Sequence, residues 1–290
     1  MSLPTTTALE SHHEPSALRR QISTDYEGLV RRFYAYLPIE VREIFINDAI
    51  YHRLRYAEML ERTYGRRILE LGSDKPFITH FLRVLNPQSK FETVSIDIPF
   101  SPYPITRIDI ESEVFPFADE SFTDVIFTEV LEHLFRDPAW TMFQMNRVMA
   151  PGARLFLTTP NACGYDSLIN LLNQANPNAR CQFYTAMESG HPHLWTLGEC
   201  ELLLSAHGFT TDHADTVDYV DIPMPLTLKA FLFAQASHPQ HHGQALRIEA
   251  HKSVAATAAM YPLGLFPEGQ PVQLRGALRE WAAQNLDRAP

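Results

Sequence analysis

Residues 66–82 read RRILELGSDKPFITHFL, and this stretch decides the fold. The apolar run Ile68–Leu71, bounded by charge and glycine, has the length of a buried strand. It carries Glu70 near its end, stops at Gly72, and gives way through a tight loop to an apolar helix, Phe77–Leu85. In such a strand–turn–helix the glycine lets the backbone approach a ligand closely, and the free N–H groups of the helix start face the crevice. About 20 residues beyond the turn comes SIDIP, residues 95–99, with Asp97 closing a second strand, Thr93–Ile96. A carboxylate there can accept both hydroxyls of a ribose.

Working outward, short apolar runs at Asp124–Thr128, Arg154–Thr158, Thr210–Val217 and Ala245–Ala250 read as further strands. Helical patterns fall between them at Pro138–Val148 and Leu197–His207. This alternation predicts an α/β fold, a Rossmann-like, doubly wound and mostly parallel sheet with an N-terminal helical extension. In that extension Leu18, Ile22, Leu29 and Phe33 recur at helix spacing, and a second helix runs from Val41 toward Arg62 after Pro38. The expected division is a tail over 1–16, a helical cap over 17–65, a ligand-binding domain over 66–252 and an extension over 253–290. The extension begins with the turn-rich YPLGLFPEG, residues 261–269, followed by an amphipathic helix, Val272–Leu286.

Composition narrows the function classes. A net charge of −10 opposes a general nucleic-acid binder, which needs a positive field to displace counterions. The opening residues lack a basic region and an apolar run, so no secretory signal is expected, and no segment has the length of a membrane span. The three cysteines, Cys163, Cys181 and Cys200, form no C-x-x-C pair and read as reduced thiols. The thirteen histidines show no metal-ligand spacing with Cys or Asp, so no metal is expected. A soluble cytoplasmic protein is the expectation, with a small-molecule partner and a homodimer as its assembly.

Two further stretches carry the strongest pattern: FPFADESFTDVIFTEVLEHL at 115–134 and RVMAPGARLFLTTPN at 147–161. The first places a loop, a strand and a polar strand end in succession; the second gives a helix end, a Pro-Gly turn and a strand. With the acidic-x-Gly loop and Asp97, the region Arg67–Asn161 resembles the class I S-adenosylmethionine-dependent methyltransferases, in particular their small-molecule and ubiquinone-pathway branch. The resemblance implies S-adenosyl-L-methionine as cofactor, with Glu70, Gly72 and Ser73 at its methionine end. It implies that Asp97 holds the ribose hydroxyls and that Asp109, in RIDIES, sits near the adenine amino group with Ile98 and Ile110 flanking the ring. Thr128 and Glu129 would line the site between cofactor and acceptor. The chain departs from the family where two further loop glycines are usual and Asp74 and Pro76 stand instead; Pro76 lacks an N–H but suits a first helical position. Thr123 is an extra residue in the usual S-F-D, and Ala153 replaces the last glycine of the P-G-G turn.

For a base, His133 sits in the LEHL motif, while His191 and His193 lie in SGHPHLWT, residues 189–196, on a long connection expected to overhang the cleft. A histidine near an acceptor hydroxyl is a suitable proton acceptor at neutral pH, and His193 is preferred over His191. Thr196 and Glu199 form a capping-box pattern that fixes the end of this connection. Tyr165, Phe183, Tyr184 and Trp195 are expected to line an apolar pocket, with the N-terminal helices and YPLGLFPEG closing the acceptor side. The reading is methyl transfer to an oxygen of a saccharide or a phenol. A non-catalytic scaffold on the same fold is the alternative. A nicotinamide-dependent oxidoreductase is disfavoured because the three-glycine fingerprint is missing.

Overall fold

The computed structural model describes residues 20, 22–62, 64–73, 76–95, 101–134, 136–178, 190–220, 227, 230, 241–263 and 265–266. Its centre is a seven-stranded sheet: β1 (Arg67–Leu71), β2 (Lys90–Ser95), β3 (Thr106–Arg107), β4 (Phe122–Thr128), β5 (Met149–Pro160), β6 (Phe209–Val217) and β7 (Ala245–Lys252). The order is β3-β2-β1-β4-β5-β7-β6. Strands β1 to β5 pair in parallel, whereas β7 runs antiparallel to both β5 and β6. The mostly parallel sheet expected from the sequence is therefore present, with its antiparallel part confined to one edge.

Helices cover both faces: α1 (Tyr26–Phe33), α2 (Ile39–Tyr51), α3 (Arg53–Glu61), α4 (Pro76–Leu85), α5 (Pro138–Val148), α6 (Tyr165–Leu172) and α7 (Leu197–Ala206). One face carries Leu69, Phe127, Met145, Leu157, Leu203 and their neighbours, beneath α5 and α7. The other buries Ile68, Ile126 and Phe156 against α4 and the N-terminal helices, through Phe33, Tyr34, Phe77 and Phe81. The N-terminal helices thus share one core with the sheet. Their rings meet edge to face: Phe33 and Phe77 lie 5.5 Å apart at 82°.

Two N-terminal helices differ from the sequence pattern. The predicted helix through Leu18 and Phe33 breaks at Asp25, whose non-helical backbone and side-chain bond to the Gly28 N–H make it the N-cap of α1. The predicted helix from Val41 to Arg62 is two helices, because His52 leaves helical geometry at φ −91°, ψ 15°. That break redirects α3 so that Arg55 and Met59 reach the sheet. Between Phe122 and Asp124 the β4–β5 register slips around the Pro151-Gly152 turn, and the extra Thr123 turns its hydroxyl onto the Arg67 backbone carbonyl at 3.0 Å. The amphipathic pattern Val272–Leu286 lies outside the described residues. The preceding stretch lies along α5 and α7, with the Met260 N–H bonded to His207 Nε2 and Tyr261 Oη to Asp137 Oδ2.

Candidate active site

Chain connections leave β1 and β4 in opposite directions, and such a switch point opens a crevice at the carboxyl ends of the strands. Gly72 turns there with φ +76°, and a Cβ on it would stand 2.3 Å from Val130 Cγ2. Only glycine lets the β1 turn pass this close to the end of β4. The Gly72 and Ser73 N–H groups both donate to Val94 O, which ties the turn to β2. Glu70 is buried, its Oε2 accepting from Thr79 Oγ1 at 2.8 Å and Thr93 Oγ1 at 3.3 Å, with Ser73 Oγ 2.9 Å from Thr79. Burial raises the Glu70 carboxyl above its ordinary range, opposed by those hydroxyls and by Arg83. Helix α4 opens on Pro76, the position where a missing N–H costs no helical bond.

Across the crevice, Asp109 organises a turn: Oδ1 accepts from the Glu111 N–H and Oδ2 from Ser112 Oγ, and the carboxylate pairs with Arg136. Glu111 Oε1 accepts from the backbone N–H groups of Arg136 and Asp137, so the turn is clamped to the start of α5. Ile110, half-buried, packs against the core beside it. Asp97 and Ile98 lie outside the described residues, as do Asp74, Lys75, Cys181, Phe183 and Tyr184.

The carboxyl end of β4 is the third wall. Thr128 is followed by Glu129, a non-glycine residue at φ 54°. Its N–H bonds to Thr158 O, its Oε1 accepts from Thr158 Oγ1 at 2.9 Å, and its Oε2 pairs with Arg55 of α3 at 2.5 Å. These three attachments hold the left-handed backbone in place. A single 3₁₀ turn, Leu131–His133, then buries Glu132, whose Oε2 accepts from Thr159 Oγ1 at 2.9 Å. Burial, then the nearby Glu129 carboxylate, pushes the Glu132 carboxyl well above its ordinary range. The connection carrying 190–196 crosses this turn, with Trp195 Nε1 donating to Leu131 O and His133 Nδ1 bonded to Gly190 O at 3.2 Å.

The structure brings His133 against His191, their ring centroids 4.8 Å apart. His193 instead packs edge-on against Trp195, with Nε2 3.5 Å from Glu199 Oε1, and stays half-exposed. The Thr196–Glu199 capping box is formed in full. Tyr165 is buried on α6, and Trp195 belongs to the main core. Sequence reasoning missed Arg55, Glu132 and Arg136 as parts of the site. Glu132 had a signal, since it stands inside the E-x-L-E-H pattern; Arg55 and Arg136 had none. A surface hollow lined by Arg62, Tyr64, Asp124, Arg154, Phe156 and Glu249 lies at the opposite, amino ends of β4 and β5.

A parallel sheet whose switch-point crevice is walled by a glycine turn and by strand-end carboxylates defines a nucleoside-binding α/β enzyme scaffold. The pattern of the methyltransferase-domain family matches residues 47–214, more than half the chain, and the chain belongs to that family. It is an S-adenosylmethionine-dependent methyltransferase. No curated protein matches the chain. Similar solved structures include S-adenosylmethionine-dependent methyltransferases from three organisms. The one from Mesorhizobium loti is 16% identical over 70% of this chain and 99% of that chain, TM-score 0.46. The one from Aquifex aeolicus is 11% identical over 75% and 99%, TM-score 0.45. The one from Archaeoglobus fulgidus is 16% identical over 71% and 94%, TM-score 0.45.

The crevice can take this cofactor in chemistry: no side chain stands at Gly72, and the Glu129 and Glu132 carboxylates stand at the end of β4. When bound, S-adenosylmethionine supplies a methyl group activated by its positive sulfur. The residues around it have to bind, orient and exclude water.

Proposed function

We propose that this methyltransferase transfers the methyl group to an oxygen of a small-molecule acceptor, with a saccharide favoured over a phenol. In this reading Glu70, Gly72 and Ser73 shape the methionine end of the cofactor site. Asp97 holds the ribose, and Asp109, Ile98 and Ile110 frame the adenine. Thr128 and Glu129 stand between cofactor and acceptor. His193 accepts the acceptor's proton, and His133 contributes to the acceptor wall. The observation that carries the reading is the His193 imidazole, oriented by Glu199 and open to solvent on the connection that crosses the end of β4. Its exposure allows proton release after each turnover. The division of labour is a catalytic domain over 66–252, a helical cap over 17–65 and an extension over 253–290. No helix among the described residues is long and apolar enough to cross a membrane.

Calorimetric titration with S-adenosylhomocysteine tests the cofactor half. Asp97→Ala should weaken binding by about 100-fold, given roughly 1.5–3 kcal/mol for each charge-assisted hydrogen bond lost; unchanged affinity removes Asp97 from the ribose site. A panel of sugars and phenols with radiolabelled cofactor tests the acceptor half. His193→Ala should keep cofactor affinity and lower kcat by about 100-fold, and equal turnover would exclude it as the base.

A further inference from the structure

We propose that Glu132, His133 and His191 form a binding site for a first-row divalent cation. One Glu132 carboxylate oxygen and one imidazole nitrogen from each histidine lie within 4.8 Å of one another. Two nitrogens and one carboxylate oxygen are donors that Mn²⁺, Fe²⁺, Co²⁺ and Zn²⁺ accept. Bonds of about 2.0–2.2 Å bring such donors closer together, so the three close inward on binding.

The geometry around His133 points the same way. Gly190 O can only accept, so the 3.2 Å contact places hydrogen on His133 Nδ1. In the neutral ring, Nε2 then carries a lone pair, and it stands 3.9 Å from Glu132 Oε1. An imidazole that donates its other N–H to a backbone carbonyl is the usual posture of a metal-bound histidine. Glu132 is likewise held from behind by Thr159 Oγ1.

The charge balance agrees. Glu129 and Glu132 lie close enough to disturb one another, and Arg55, the guanidinium that influences both, is already paired with Glu129. A cation at Glu132 would relieve the burial of that carboxylate. Three protein ligands leave coordination positions open, the pattern of a working site rather than a closed structural one. Under the methyl-transfer reading an acceptor oxygen would enter there, and only this last role rests on that reading.

The experiment strips the full chain with a chelator and adds Co²⁺ without cofactor or acceptor, recording the visible d–d absorption. Stoichiometric bands are expected, displaced by Zn²⁺. His191→Ala and Glu132→Gln should weaken Co²⁺ binding by more than about tenfold, with unchanged far-ultraviolet circular dichroism. His193→Ala, in the same connection but outside the cluster, should keep the bands. Absence of bands in the folded chain, bands that survive in His191→Ala, or equal loss in His193→Ala would each overturn the site. Because no methyl transfer is measured, failure of the acceptor assignment leaves this result standing.

Discussion

The two walls of the crevice treat their carboxylates differently. Around the β1 turn and the Asp109 turn each acid is already satisfied by the fold: Glu70 by two threonine hydroxyls, Asp109 by Ser112, Arg136 and a backbone N–H, Glu111 by two backbone N–H groups. At the end of β4, Glu129 and Glu132 share the influence of one guanidinium, and two imidazoles crowd the same turn. The first wall uses charge to set the shape of its loops. The second keeps charge in tension, and that is the arrangement expected where chemistry or a cation is to be held.

The sharpest way to break this comparison is to remove Arg55. Its guanidinium is buried, and Arg55→Met leaves Glu129 facing Glu132 without a counter-charge. Truncating one partner of a buried pair costs about 3–5 kcal/mol, and the partial exposure of Glu129 should reduce this to about 2–3 kcal/mol. Urea unfolding should show the loss, and Arg55→Met with Glu129→Gln should recover most of it. An Arg55→Met chain as stable as the parent would mean that the β4 end is not under tension.

Gly72 on the other wall should give a somewhat smaller effect of a different kind. Gly72→Ala strains a left-handed backbone and drives a methyl into Val130, costing about 1–3 kcal/mol. Adding Val130→Ala should remove the contact part and leave only the backbone part, about 1 kcal/mol. Equal losses in both backgrounds would show that Val130 moves aside freely.

What could be read from the sequence divides along the same line. The glycine turn, the strand segments around it and the capping box depend on neighbours a few residues apart, and periodicity and turn chemistry expose them. The slip beside Thr123 was visible as an extra residue in a short motif. The Arg55–Glu129 pair joins α3 to β4, and its existence depends on the break at His52, where no proline or glycine marks the sequence. His133 meets His191 rather than His193 because Trp195 anchors the connection on Leu131 and Glu199 draws His193 aside. Those choices are made by packing between distant segments, which a local pattern does not encode.

The last test has the opposite sign. Burial and Glu129 raise the Glu132 carboxyl in the folded chain, so the folded state holds a proton that the unfolded chain releases at lower pH. The stability this group contributes is complete below the ordinary carboxylate range and is lost as pH rises through the raised folded value. Glu132→Gln cannot undergo that loss. In chelator-treated protein the variant should therefore match the parent near pH 4 and melt higher at pH 8. A rise of about 2–4 °C is what roughly 1 kcal/mol gives in a chain of this size. Equal melting curves at pH 8 would show that Glu132 ionises without penalty and that the tension lies at Glu129 alone. Adding Co²⁺ to the parent at pH 8 should close the gap, because a cation bound at Glu132 replaces the proton, and it should leave Glu132→Gln unchanged.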